Sequence, residues 1–272
     1  MDNKFQPISF LEKNNSNIKS KIEISGFEII KNFITLEEIK IIRKEIIFCE
    51  KSQNVKNNSP EYGQVRSPFI CSKILLEFLK KKELNDIFNE LINEGSICHL
   101  NNGQICRKKF MHNQSLWHRD LNKHYISEPP LAFNALLFLG QTNNEVDLIP
   151  QKFDILNGSH LFKFQPSDSD FEKAAKRLEL NPGDLLVFNS LLWHRVVACE
   201  YDNQMFLNTM FTAAFIKQQI DLLGTTEEWI LQNGGLDSNL AKICGYWSRA
   251  PKDLDQFRNP KDGIRTYRPN QG

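Results

Sequence analysis

The residues with the clearest chemical potential lie in the segment Ser115-Leu116-Trp117-His118-Arg119-Asp120. In a strand, residues two apart point to the same face, so His118 and Asp120 can offer an imidazole and a carboxylate to one point. A third ligand has to come from elsewhere, and His194 is the natural candidate. It follows the apolar run at 185–188 and precedes Val196-Val197, near the mouth of a later strand. Two imidazoles and a carboxylate on one face of an octahedral ion leave positions open for a cosubstrate and dioxygen, the donor set of non-haem Fe(II) oxygenases. A bare His-x-Asp also occurs by chance, and each histidine alone reads equally well as a hydrogen-bonded core or surface residue.

The elements that would position these ligands change character along the chain. Residues 1–21 are polar and rich in Asn, Lys and Ser, an N-terminal arm, and 22–30 reads as a short strand around Gly26-Phe27. Thr35 and Glu38 form a capping-box pattern ahead of Ile39, Ile42 and Ile46, which share one helix face. The stretch 51–68 reads as a loop, and Leu84, Ile87, Phe88 and Leu91 predict a second amphipathic helix over 72–93. Beyond it come short apolar runs at 97–100, 105–111, 131–139, 155–156, 185–188, 196–198 and 206–215. Turn residues such as Pro129-Pro130, Asn157-Gly158 and Pro182-Gly183-Asp184 separate them. Many short strands with regular punctuation predict a sandwich or barrel and not a βαβ sheet. One helical insert at 171–178 interrupts them, and a short helix around Trp229 opens the tail. The expected organisation is one domain over 22–272, with its core at 97–216 and a C-terminal extension at 217–272.

Composition narrows the class. Acids and bases nearly cancel to a net charge of +1, so no global field favours nucleic acid or a membrane surface. No basic stripe is interleaved with aromatics, which argues against nucleic-acid binding. No stretch reaches the roughly 18 apolar residues of a membrane span. The six cysteines are scattered without a Cys-x-x-Cys pair, so a reducing, cytoplasmic setting is the simplest expectation.

Around the ligand segment, Asn157-Gly158-Ser159-His160, then Asn181-Pro182-Gly183-Asp184, then Trp193-His194 follow in an order and spacing that resembles the phytanoyl-CoA dioxygenase-like family. Gly26-Phe27 followed by Phe33-Ile34-Thr35-Leu36-Glu37-Glu38 is similar to that family's opening, and the resemblance spans roughly residues 22–216. It implies a mainly β chain with flanking α: a double-stranded β-helix, jelly-roll and cupin-like, with the N-terminal helices packed outside the barrel. It also implies Fe(II) held by His118, Asp120 and His194, 2-oxoglutarate as cosubstrate, and hydroxylation of a small molecule with dioxygen as oxidant and succinate as coproduct.

The chain departs from that pattern in one place. The family sets an Arg ten or eleven residues beyond the distal His to salt-bridge the far carboxylate of 2-oxoglutarate; here those positions are Gln204 and Met205. A bidentate Arg–carboxylate contact exceeds a neutral amide's hydrogen bond by about 1–2 kcal/mol. Arg107, Lys109 and Arg195 are the candidate substitutes, although Arg195 directly follows a ligand and in a regular strand faces away from it. Three explanations stand side by side: another cation anchors the cosubstrate, another cosubstrate is used, or the protein is a metal-binding β-helix without catalysis. Trp117 and Trp193 precede proposed ligands and read as packing residues or as a wall of the cosubstrate pocket. His112, His124 and His160 read as surface, supporting or turn residues. Arg249, Arg258, Arg265 and Arg268 in the tail would suit an anionic substrate, or are solvated surface charge.

Overall fold

The computed structural model describes residues 17–54, 63–92, 95–107, 116–121, 130–143, 147–197, 203–235, 238–248 and 254. Helix α1 (Ile18–Ser25) is capped by the Asn17 side chain and stops at Gly26, whose φ of 87° is the left-handed setting that closes a helix. Helix therefore replaces both the end of the expected arm and the start of the expected strand. Ile18 and Ile22, four apart, both pack on the core, and β1 (Phe27–Ile30) is shorter than expected. Helix α2 (Leu36–Gln53) starts on the expected capping box and buries Ile39, Ile42, Ile46 and Cys49 along one stripe.

Two further expectations change here. A strand, β2 (Gln64–Arg66), occupies part of the stretch read as a loop. A short helix, α3 (Pro68–Cys71), precedes the helix read over 72–93, which is itself broken into α4 (Lys73–Glu77), a 3-10 turn at Phe78–Lys80, and α5 (Lys82–Ile92). Ser72 sits in extended conformation between α3 and α4, and its hydroxyl caps α4 by accepting from the Leu75 amide.

The remaining elements are β3 (Ser96–Cys106), β4 (Ala132–Phe138), β5 (Gln141–Asn143), β6 (Asp147–Ile149), β7 (Gln151–Leu156), α6 (Asp168–Ala174), β8 (Ala175–Leu180), β9 (Leu185–Asn189), β10 (His194–Val196), β11 (Gln204–Ala213), α7 (Leu222–Gln232) and α8 (Asn239–Ile243). The helical insert is thus displaced from 171–178. Ser167 and Asp170 start it earlier through a capping box, and Ala175–Leu180 is a strand in which Leu178 and Leu180 alternate inward. The two runs read at 97–100 and 105–111 belong, as far as the described residues go, to the single long strand β3.

All the strand pairings among the described residues are antiparallel. One sheet has the order β1-β9-β4-β11-β3-β2, a smaller one β10-β7-β8, and β5 and β6 form a hairpin. An isolated bridge between His118 and His194 extends the smaller sheet past β10. Parity along the strands assigns the core. Leu136, Phe138, Leu186, Phe188 and Phe206 meet Phe153, Ile155, Leu178, Leu180 and Val196 of the smaller sheet. Phe133, Ala135, Leu137, Leu185, Val187, Met205 and Leu207 lie under the helices instead. Strand β4 is buried at every position, because both its faces are covered. A continuous apolar run in place of polar alternation follows directly. Each fully buried Phe contributes about 1.5–3 kcal/mol. The expectation of a mainly β chain with flanking helices holds, and no helix among the described residues is long and apolar enough to cross a membrane.

Candidate metal centre

The backbone brings the two histidines together before their side chains matter. The His118 amide donates to the His194 carbonyl and the His194 amide to the His118 carbonyl, both at 3.0 Å. Residues that exchange both bonds across an antiparallel pair have Cα atoms about 5.5 Å apart. The imidazoles consequently stand side by side, with centroids 4.3 Å apart. Asp120, two residues on, is placed by Ser190, whose carbonyl accepts from the Asp120 amide at 3.1 Å and the Leu121 amide at 3.0 Å. His118 Nε2 lies 3.7 Å from one Asp120 carboxylate oxygen and His194 Nε2 lies 3.8 Å from the other.

Hydrogen bonds on the far side of each ring decide which nitrogen is available. His118 Nδ1 is 2.8 Å from the Leu116 carbonyl, and His194 Nδ1 is 2.9 Å from the Leu192 carbonyl. A carbonyl can only accept, so each Nδ1 carries a proton, and in the neutral ring this leaves the Nε2 lone pair aimed at the shared point. His118 Nε2 and Asp120 Oδ2 are buried without a hydrogen-bond partner among the described residues. Unpaired buried acceptors are costly unless a cation satisfies them. One ligand atom from each of His118, Asp120 and His194 lies within 4.8 Å of the others, so the donor set fits one divalent ion.

His194 is buried beside Phe153, 5.5 Å away between centroids, and Phe188, 4.8 Å away. Burial pushes its pKa down to about 4, against the pull of Asp120, with His118 adding to the depression. The neutral ring, the ligating form, is therefore present at neutral pH.

Ser159, in the Asn157–His160 turn, links the two ligand segments. Its hydroxyl accepts from the Trp193 amide at 2.9 Å, one residue before His194. Its carbonyl accepts from Arg119 Nη2 at 2.9 Å, between His118 and Asp120. Arg119 also lies 5.1 Å above the Trp193 ring. His160 is buried and contacts the Glu23 carbonyl through Nε2 at 3.2 Å. A Cβ on Gly26 would come 2.6 Å from both His160 Nδ1 and Leu192 Cδ1, so this position requires glycine.

A cavity opens beside the triad. Asp120 and His194 line one side; Leu136, Phe153, Phe188, Val196 and Phe206 form its apolar floor. Gln64, Arg66, Asn102, Gln104 and Asn208 form a polar wall opposite. The Asn208 side chain accepts from Asn134 Nδ2 at 3.0 Å, and the Ser190 hydroxyl donates to Asn134 Oδ1. One network thus runs from the carbonyl that sets Asp120 to the far wall.

The other sequence-predicted residues lie apart from this cavity. Arg107 makes a bidentate pair with Glu50 of α2, 2.8 Å at each end, on the helix-covered side of the sheet. Its strand parity explains the correction: Asn102 and Gln104 face the cavity, so 107 faces away. Lys109, His112, His124 and the arginines at 249, 258, 265 and 268 fall outside the described residues. Gln204 is buried at the start of β11 but does not line the cavity; Phe206 and Asn208 do. Trp117 stacks on Phe171 at 4.6 Å beneath Arg195, a packing role. Arg195 turns from the metal point to Asp154, 2.9 Å away. Sequence reasoning missed Ser190, Asn134 and the polar wall, whose members are separated by tens of residues and carry no motif.

No protein-family model matches the chain. An uncharacterized protein of Mycobacterium tuberculosis (Rv1501) is 23% identical over 270 residues, 94% of this chain and 95% of its own length; its counterpart in Mycobacterium bovis (Mb1539) matches equally. Among solved structures, HygX from Streptomyces hygroscopicus, with nickel and 2-oxoglutarate bound, is similar with a TM-score of 0.58 at 14% identity, covering 78% of this chain and 92% of that one. The non-heme monooxygenase ThoJ, as its nickel complex, gives 0.57 at 14% identity over 75% and 80%. SnoN, a non-heme alpha ketoglutarate dependent epimerase from nogalamycin biosynthesis, gives 0.56 at 13% identity over 72% and 81%. The chain has the fold that these non-haem enzymes share.

Proposed function

We propose that the chain is an Fe(II)- and 2-oxoglutarate-dependent dioxygenase that hydroxylates a small molecule. The observation that carries this reading is the convergence of two Nε2 atoms and one carboxylate on a single point, with both Nδ1 atoms tied to carbonyls. The sheet order, with His118 added beside β10, supports a double-stranded β-helix over 97–216 within one domain spanning 22–272. The similar proteins HygX, ThoJ and SnoN support the class, and HygX has been crystallised with hygromycin B as well as 2-oxoglutarate. A small organic substrate fits a cavity of this kind, and the free cysteines at 49, 71, 98, 106 and 244 fit a reducing cytoplasm.

Bound iron with 2-oxoglutarate would supply the oxidation with dioxygen as oxidant: one oxygen atom would enter succinate as carbon dioxide leaves, and the other a substrate C–H bond. The chain's own part is positional. His118, Asp120 and His194 would hold the ion by one face and leave the other open to the cavity. Phe153, Phe188 and Val196 keep water from the buried side, and the polar wall orients what enters.

The test is release of succinate from 2-oxoglutarate that requires Fe(II) and falls to background in His118→Ala. Iron-loaded protein that neither binds nor decarboxylates 2-oxoglutarate would overturn the reading. Gln204 and Met205, where an Arg is expected, favour one alternative, a metal-binding β-helix without 2-oxoglutarate chemistry. It predicts metal binding with no change in the metal's visible spectrum when the keto acid is added.

A further inference from the structure

We infer that Arg66, with Gln104 beside it, forms the subsite for the distal carboxylate of the 2-oxo acid, replacing from another strand the Arg absent at 204 and 205. This inference rests on the oxygenase reading of the site. Arg66 is the one Lys or Arg among the described residues lining the cavity that also holds Asp120 and His194. It ends β2, the edge strand of the large sheet, and its backbone is fixed to α2: the Arg66 amide donates to Gln53 Oε1 at 3.0 Å, and Gln53 Nε2 donates back to the Arg66 carbonyl.

The register builds the subsite across three strands. Arg66 lies opposite Asn102, which lies opposite Asn208; Gln64 lies opposite Gln104, which lies opposite Phe206. Arg66 and Gln104 are diagonal neighbours on one face, about 7–8 Å apart and within reach of long side chains, so the guanidinium and the Gln104 amide can serve one patch of wall. Gln104 is 5% exposed, and its Nε2 has no hydrogen-bond partner among the described residues. A buried donor that faces the cavity without a protein partner is free to pair with an acceptor that the ligand brings. Phe206 occupies the inward position beside it on β11, where an apolar ring can pack on the acid's methylene carbons but cannot bind its charge. A dicarboxylate fits this division of labour. Its keto-acid end belongs with the metal, and its far end is drawn from Asp120 towards the wall that carries the cation.

The experiment is anaerobic titration of the Fe(II)-loaded protein with 2-oxoglutarate and, separately, 2-oxopentanoate, the same chain without a distal carboxylate. Binding is followed by the visible band of the iron–keto acid chelate. The expected result is at least about tenfold tighter binding of 2-oxoglutarate by the unaltered protein. Arg66→Gln should lose that preference while binding 2-oxopentanoate as before, and Arg66→Lys should keep part of it. Unchanged Fe(II) affinity and unfolding midpoint in both variants show that the fold is intact. Equal affinity for both acids in the unaltered protein, or a preference that survives in Arg66→Gln, overturns the subsite and leaves the oxygenase reading standing. If neither acid produces the band, the oxygenase reading itself fails, and the subsite with it.

Discussion

The two walls of the cavity are built on opposite principles. On the metal side, each ligand is held by bonds that do not involve the metal: the exchanged amides of His118 and His194, the carbonyls of Leu116 and Leu192 behind the rings, and Ser190 beneath Asp120. On the far side, Asn102 Oδ1 and Gln104 Nε2 lack partners among the described residues, and the wall ends in a three-residue edge strand. The metal end is held in advance, whereas the Asn102 and Gln104 amides at the other end stay available to a ligand. A site that grips an ion and then a second molecule needs both kinds of wall.

Experiments that remove one group at a time break or sharpen this contrast. The largest effect is expected at Asp120→Asn, which keeps the shape and removes the charge. Metal affinity should fall at least about a hundredfold, a change beyond what loss of a supporting residue produces; retention of near-normal Fe(II) binding by equilibrium dialysis would sink the ligand assignment. Next is Ser159→Ala, which leaves the ligands in place but unties Trp193. Metal affinity is expected to drop about tenfold and stability by about 1–2 kcal/mol, read by dialysis and urea unfolding.

The third experiment addresses the back of the metal wall. Asp154 on β7 accepts from Arg177 Nε at 2.8 Å and from Arg195 Nε at 3.0 Å. Burial alone would raise its pKa, but the two arginines hold the carboxyl below its ordinary value of 3.8. A depressed carboxylate contributes stability that is complete above that value and is lost as pH falls through the lower, folded-state value. Asp154→Asn should therefore cost about 1–2 kcal/mol at neutral pH, since both arginines are partly exposed and screened. The deficit should shrink below pH 3.8; a deficit that stays constant down to pH 3 in urea melts would contradict the ion-pair account. The smallest effect is expected on the far wall. Gln104→Met removes a buried donor that has no partner, so stability without ligand should change by less than about 1 kcal/mol, and could rise. A loss above 2 kcal/mol would show that the amide is already engaged.

How legible these walls were in the sequence follows from their geometry. His118 and Asp120 stand two apart on one local segment, and His194 opens a strand after an apolar run, so period-two reasoning reaches them. The far wall is assembled by register instead. Arg66 faces the cavity because β2 pairs with β3 at Arg66–Asn102, a fact that no local pattern around residue 66 encodes. The same blindness applies to Arg107, one of three candidate cations: only the pairing of β3 with β11 and the packing under α2 tell which face it takes. The helical insert misled for a related reason. Phe171, Leu178 and Leu180 are consistent with either period until β7 provides a partner for Ala175–Leu180. Capping chemistry at Thr35–Glu38 was read correctly because it is complete within four residues.

The exchanged amides of His118 and His194 have a mechanical consequence. Those residues are 76 positions apart, so an ion bound to both fastens the ends of a loop that contains β4 to β9. In the chain-entropy model a covalent closure of that length is worth about 4.5 kcal/mol, and a labile coordinate tie some fraction of it. The ion then acts as a removable staple, and a chelator would loosen the entire smaller sheet along with the centre itself.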